Sequence, residues 1–252
     1  MKHTFVDPYC YPGTNVLKNL ADIRDHNLLE MTEAALVSSQ TPLVESIVGA
    51  PHDLTKLLSI HRILFGKLYP FAGQLRVHTG RMTKVRANGY AVVYGDSAFI
   101  PEQIGLVFRR LATENYLIGL SPQSFAERAA HFYGELDAVH PFREGNSRTL
   151  RLFFAGLAHS AGYQLDWRIL AAEGRFREQT LRGARPGCYA RRFGATGNDF
   201  YFDSFAALNY PTQTNHFTPS WVAADLANAQ FLHNSGAAPQ AARVFARLNR
   251  AG

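Results

Sequence analysis

The chain is poor in cysteine, with Cys10 and Cys188 the only two in 252 residues. Two thiols cannot build a disulfide scaffold and their spacing suits no metal knuckle, so a reducing cytoplasm is the expected setting. Long apolar runs are also missing. None approaches the roughly 20 residues that a bilayer span requires, and mean hydropathy is −0.15. The opening Met1-Lys2-His3-Thr4-Phe5-Val6-Asp7-Pro8 leads into no apolar stretch and no small-residue cleavage site, which argues against a secretory leader. No internal repeat recurs at solenoid or propeller period. Charged residues make up 18% and lean basic, 26 Lys+Arg against 20 Asp+Glu, for a net +6. Such an excess permits an anionic partner without demanding one. Arg168, Arg175, Arg177, Arg182, Arg185, Arg191 and Arg192 carry much of it. Without a fold-level signal for nucleic acid they read as a solvated basic face, and no direct nucleic-acid or membrane binding is expected.

What the chain does hold is apolar material, 46% hydrophobic with 12% aromatic, enough to bury a sizeable core. Apolar residues recur at helical spacing from Leu17 to about Leu36, and again from Leu54 through Leu57, Leu58, Ile60, His61, Leu64, Phe65 and Leu68 to Tyr69-Pro70. Residues 74–100 change character. Val77, Thr79 and Val85, then Asn88-Gly89, then Tyr90, Val92, Val93 and Tyr94 read as a hairpin, with one arm from Arg76 to about Val85 and the other from Tyr90 to about Tyr94. Pro101 opens a further helix. Ser124-Phe125-Ala126-Glu127 reads as a capping box starting a helix that stops near Val139, because Pro141 disfavours helical backbone at His140. Thr149 to His159 is helical again, with Gly162 placed for a left-handed cap. The expected class is mainly α, a helical bundle with one hairpin. Residues 186–252 form a C-terminal extension of unknown role, frayed in pattern over 194–217 and alanine-rich from Ala223 to Arg250.

The segment His140-Pro141-Phe142-Arg143-Glu144-Gly145-Asn146-Ser147-Arg148-Thr149-Leu150-Arg151 concentrates the chemistry. It is a tight loop between two apolar helices. A helix N-terminus offers unpaired N–H groups and partial positive charge, and Gly145-Asn146-Ser147 puts small residues there, so that an anion can approach the backbone. Arg148 and Arg151 share a helix face and suit a polyphosphate. Glu144 is a hard oxygen ligand for magnesium. His140, with a reference pKa of about 6.5, suits general-base work. Each residue also has a plainer reading: a capping histidine, surface salt-bridge arginines, a glutamate favoured by the helix charge, and Phe142 as a core anchor. Their clustering within one short loop favours the chemical one.

The segment resembles the Fic family signature, H-x-F-x-[DE]-G-N-G-R-x-x-R, at every defined position but one, Ser147 standing where the family has its second glycine. Ile60-His61-Arg62-x-Leu64-Phe65 with Phe71-Ala72-Gly73 resembles the stretch ahead of the Fic flap. Asp7-Pro8-Tyr9-x-Tyr11-Pro12-Gly13, with Asn19 and Ile23-Arg24, resembles the start of stand-alone bacterial Fic toxins. The resemblance implies a Fic domain over 1–185, with its signature loop at 140–151 and its flap at about 76–94. It also implies transfer of AMP from ATP to a Ser, Thr or Tyr hydroxyl of a target protein, releasing pyrophosphate. By that analogy His140 deprotonates the hydroxyl and Glu144 holds Mg²⁺ between the α- and β-phosphates. Gly145, Asn146 and Ser147 form the anion hole, Arg148 meets the β-phosphate side and helps stabilise the developing charge, and Arg151 reaches the γ-phosphate. The flap docks the target backbone as an added strand, through residues such as Val77, Thr79, Val85, Tyr90 and Val92. Serine at 147 strains the loop if its φ is positive, by about 1 kcal/mol or more, and costs little if it is helical.

Fic proteins are often restrained by an inhibitory helix bearing [ST]-x-x-x-E-[GN], whose glutamate pairs with the second motif arginine. No glutamate follows Glu178, so no C-terminal inhibitory helix is expected. The nearest match, Thr41-Pro42-Leu43-Val44-Glu45-Ser46, ends in serine and reads as loop. Glu114-Asn115 and Glu173-Gly174 have Arg110 and Ile169 where Ser or Thr should be. The resemblance therefore implies a small antitoxin acting in trans, with type II topoisomerase subunits as targets by family analogy. The alternatives are another nucleotide donor, a nucleotide-binding module weakened in catalysis by Ser147, and a zinc enzyme built from His131, Glu135 and His140, which has no H-E-x-x-H motif to support it.

Overall fold

The computed structural model describes residues 7–47, 49, 51–85 and 91–163. The Asn88-Gly89 turn, Tyr90, the basic stretch from Arg168 and the extension 186–252 lie outside the described residues. Five helices and one two-stranded antiparallel sheet make up the described fold: α1 His26–Val44, α2 Leu54–Phe65, β1 Arg81–Val85, β2 Ala91–Asp96, α3 Ile100–Thr113, α4 Pro122–Val139 and α5 Asn146–Ser160. Among these residues no helix is long and apolar enough to cross a membrane.

The bundle is arranged around α5. Leu150, Leu152, Phe153, Phe154, Leu157 and Ala158 are all essentially inaccessible, so this helix is apolar on more than one face, as a central helix must be. It packs against α2 and α4; α1 covers α2, and α3 covers α4. Phe108 of α3 meets Phe153 edge to face at 5.6 Å between ring centroids, an arrangement the aromatic quadrupole favours. Phe125, Ala129, Phe132, Tyr133 and Leu136, the stripe expected of α4, are buried. The helix stops where Pro141 requires it, at Val139, with His140 left-handed behind it.

Several boundaries differ from the sequence reading. The segment from Leu17 is not helical: Cys10 and Leu17 pair as an isolated bridge, Asn19 ties its side chain to Leu17 and Ile23, and α1 begins only at His26. Residues 41–46 are not loop. The helix runs through Pro42 to Val44 and a 3₁₀ turn follows over Glu45–Ile47. Proline in a helix interior costs ~3 kcal/mol, and burying Leu36, Val37 and Val44 at 1% exposure each, at ~1.5–3 kcal/mol per side chain, outweighs it. The α4 cap is Ser121, whose hydroxyl accepts from the Ser124 amide at 3.3 Å; Pro122 in the first turn fixes this earlier start.

The first arm of the hairpin is also shorter than expected, and the second runs on to Asp96. Residues 76–80 are not strand, and β1 pairs with β2 with Thr83 opposite Val93, after an irregularity between Arg81 and Thr83. His78 and Gly80 adopt positive φ, which a strand cannot hold. The cause lies inward: Arg76 and Thr79 are 1% and 4% exposed, and this stretch wraps the Arg76 guanidinium.

Candidate active site

The loop from His140 to Gly145 is closed by a latch. Asn146 is buried; its Oδ1 accepts from the Phe142 amide at 2.8 Å and its Nδ2 donates to the Phe142 carbonyl at 2.7 Å. Phe142 is fully buried and stacks on His61 at 3.9 Å, so it is the core anchor the sequence suggested. His61 in turn bonds the Glu144 carbonyl through Nε2 at 3.0 Å, and its Nδ1 accepts from the Gly73 amide at 2.8 Å. An accepting Nδ1 makes Nε2 the donor and the ring neutral, consistent with burial lowering its pKa to about 4.

Gly145 caps α5 with φ +78. A side chain there is excluded twice, by the left-handed backbone and by Phe65, whose ring atoms would lie 2.3 Å from a Cβ. Glu144 Oε1 accepts from the Gly145 amide at 2.9 Å, and Gly145 itself has no side chain to cap α5, so the amides of Asn146 and Ser147 point the helix's partial positive charge at whatever approaches. Ser147 lies inside the helix and is exposed, so the departure from the family glycine carries no backbone strain. What Asn146 offers an anion is its backbone N–H, since its amide is spent on the latch.

Arg148 is held from two sides. Its guanidinium pairs with Glu33 of α1 and lies 3.3 Å from Glu144 Oε1, over the Phe65 ring at 4.9 Å. Tyr69 donates its hydroxyl to the other Glu33 oxygen. Burial pushes the Glu33 carboxyl up, against the pull of Arg148, while the two carboxylates raise Arg148 despite its own burial. We read the cluster as an ion pair, because the guanidinium stays charged throughout the relevant range. Glu144 also accepts from the Gly145 amide at 2.9 Å and is 40% exposed in its side chain. Arg151, one helical turn on, is half-buried on α5. Arg143 points away and fixes the N-terminal segment to the loop by pairing with Asp7 at 2.7 Å and approaching Cys10 Sγ at 3.7 Å.

His140 has φ 50° and ψ 64°. Its ring stacks on Tyr94 of β2, centroids 3.6 Å apart and 17° from parallel, and its Nδ1 is 3.8 Å from Asp137 Oδ1, outside hydrogen-bond length. The hairpin thus lies directly against His140. Of the expected docking residues, Val77 is half exposed and precedes β1. Thr79 is buried beside Arg76 and cannot meet a target. Val85 and Val92 occupy the strands, and Tyr90 lies outside the described residues.

Among the described residues no group of three or more His, Cys, Asp or Glu could hold a metal, and His131, Glu135 and His140 form no such cluster. The donors here still fit magnesium in one way: a single half-exposed carboxylate at an anion site, the remaining oxygens coming from phosphate and water.

Sequence reasoning did not find Glu33, Tyr69, Asp137, Tyr94 or the part played by Arg76. Asp137 alone had a local signal, one turn before the histidine.

A left-handed histidine, a helix N-terminus behind a latched loop and a half-buried arginine make up a candidate site whose chemistry suits phosphate, set in a helical bundle. A model of the Fic/DOC family matches residues 51–158. The chain is 34% identical over 175 residues to the probable protein adenylyltransferase Fic of Escherichia coli, spanning 66% of this chain and 80% of that protein. It is 38% identical over 163 residues to protein adenylyltransferase VbhT of Bartonella schoenbuchensis, covering 64% of this chain but only 32% of VbhT. The fold matches the crystal structure of the VirB-translocated effector BepC of Bartonella tribocorum with bound AMPPNP, at TM-score 0.64 and 26% identity, over 84% of this chain and 100% of that one. A Fic domain from Bartonella quintana with bound ADP matches at TM-score 0.65 and 25% identity, over 82% and 96%. The chain belongs to the Fic/DOC family.

Proposed function

We propose that this protein transfers AMP from ATP to a serine, threonine or tyrosine hydroxyl of a target protein. The observation that carries the reading is the placement of His140 and the open N-terminus of α5 at the two ends of one latched loop. In the proposed reaction His140 takes the hydroxyl proton, the oxygen attacks the α-phosphorus, and the bond to the bridging oxygen of pyrophosphate breaks. Asp137 faces the ring as it gains positive charge. The leading amides of α5 at Asn146 and Ser147 donate to phosphate oxygens, and that of Gly145, which Glu144 Oε1 accepts from in this structure, joins them once Glu144 turns to the metal. Arg148, aimed by Glu33 and Phe65, meets the β-phosphate side, and Arg151 the γ-phosphate. Glu144 would hold Mg²⁺, which when bound offsets phosphate charge. The target's backbone would add to the hairpin edge, which brings its hydroxyl to the base that β2 supports.

We propose further that a small antitoxin restrains the protein in trans, since the nearest match to the inhibitory signature, Thr41 to Ser46, though helical through Val44, has Ser46 where Gly or Asn should be. The full chain purified from its own host would then carry such a partner; a chain that purifies alone with low basal activity refutes it. Family analogy makes type II topoisomerase subunits the first targets to assay. The test of the reaction itself is incubation with α-phosphate-labelled ATP, Mg²⁺ and host lysate beside His140→Ala. Label on a discrete protein, lost in the variant, supports the proposal. Equal label with both proteins removes His140 as the base.

A further inference from the structure

Arg76 takes no part in the proposed chemistry, yet its side chain is almost completely enclosed. A guanidinium has five N–H donors, and here all five are used. Nε donates to the His140 carbonyl at 2.7 Å. Nη1 donates to Thr79 Oγ1 at 2.6 Å and to the Gly80 carbonyl at 2.9 Å. Nη2 donates to the Gly95 carbonyl and, at 3.3 Å, to that of Val139. The Arg76 amide completes the set by donating to the Pro141 carbonyl at 2.8 Å. One residue therefore holds three consecutive carbonyls, 139 to 141, around the base, and two at the root of the hairpin.

None of these acceptors is a carboxylate. Burial lowers the Arg76 pKa to about 10, with Asp96 pulling the other way, which leaves it charged at neutral pH. Its charge faces the C-terminal end of α4, where unpaired carbonyls concentrate partial negative charge. That end is where the chain must turn left-handed at His140, a conformation a non-glycine residue adopts at a cost of ~1–2 kcal/mol and keeps only when its surroundings over-determine it. Gly95 allows the close approach: a Cβ there would lie 3.3 Å from the Val139 carbonyl oxygen.

We infer that Arg76 is a positioning residue for His140, fixing the base in its left-handed turn and joining it to the hairpin as one rigid unit. The inference rests on the AMP-transfer reading for its kinetic consequence but not for its structural one. A strain applied to the hairpin by a docked target reaches the base through two routes, the Arg76 carbonyl clamp and the Tyr94 stack.

The test compares the full chain with Arg76→Lys, which keeps charge and stem but loses the planar fork. Transfer from labelled ATP is measured against ATP concentration, with calorimetric ATP binding and thermal midpoint alongside. A base displaced by a fraction of an ångström should lower the maximal rate by about 10- to 100-fold, while KM and Kd for ATP stay within about twofold. Wild-type maximal rate in folded Arg76→Lys overturns the inference, as does a parallel loss of rate and ATP affinity. Should Arg76→Lys fail to fold, Thr79→Val removes one acceptor of the same guanidinium. A several-fold loss with the same split then supports the inference, and an unchanged rate overturns it. A second readout is independent of transfer. The His140 ring protons, assigned with His140→Ala, should be shifted upfield by the Tyr94 stack and lose that shift in the folded variant. If the wild type labels nothing, AMP transfer falls as the function, and this signal alone decides the inference: unmoved His140 resonances overturn it.

Discussion

Replacing Gly145 by alanine tests the geometry on which the proposed anion site depends. Two separable costs arise. The backbone sits at φ +78, where a Cβ costs ~1–2 kcal/mol. The new methyl also falls 2.3 Å from Cε2 and Cζ of Phe65. That ring cannot retreat, being 1% exposed, 4.8 Å from His61 and covered by the Arg148 guanidinium; overpacking of this kind costs ~1–3 kcal/mol. The sum, ~2–5 kcal/mol, is a large part of the ~5–15 kcal/mol that stabilises a typical domain. Urea unfolding of the full chain, of Gly145→Ala, of Phe65→Leu and of the double variant separates the terms. Shrinking the ring should relieve the steric cost only, so the double variant should be more stable than the sum of the singles predicts, by about 1–2 kcal/mol, and still carry the backbone cost. A Gly145→Ala protein within about 0.5 kcal/mol of wild type, or strictly additive singles, would refute the account of the loop given above.

Stability should fall on acidification from neutral pH. His61 and His52 both have folded pKa values lowered to about 4 by burial, below the ~6.5 of the unfolded chain, so the unfolded state gains the proton first. Their contribution is complete above about pH 6.5 and is lost as pH falls toward 4, at about 1.4 kcal/mol per pH unit each; urea titrations at pH 7 and pH 5 should differ by roughly 4 kcal/mol, and equal midpoints would contradict the neutral assignment. Glu33→Ala leaves Arg148 with Glu144 alone and should destabilise by about 2 kcal/mol, less than the ~3–5 kcal/mol of a fully enclosed pair, with Tyr69→Phe costing about 1.5 kcal/mol by the same assay. Ser147→Gly should leave labelling within about twofold and lower stability by about 0.5 kcal/mol; a several-fold faster enzyme would mean that the hydroxyl obstructs the site.

How much of this was legible in the sequence depended on distance along the chain. The loop after α4, the stop of α4 at Pro141 and the buried stripe of α4 rest on local rules and agree with the fold, although α5 begins at Asn146, three residues before the expected Thr149. Errors arose where tertiary contacts override local preference. The helix persists through Pro42 because buried residues on either side hold it, and 76–80 abandons β geometry to enclose a guanidinium. Glu33 and Arg148 are 115 residues apart, and Arg76 and His140 are 64, so no window or period could have paired them. Ser121 could have been read: a serine directly before proline is the stronger start signal than the box three residues later.

The Asn146 latch spans the loop from Phe142 and passes over the residues between. A loop braced across its base does not rely on every residue along its rim. Change at the exposed position 147 leaves the brace untouched, whereas change at 142 or 146 opens the whole loop. The loop can thus take a substitution on its exposed rim while the frame that shapes it is untouched. A serine in place of the customary glycine is what such a division of labour permits.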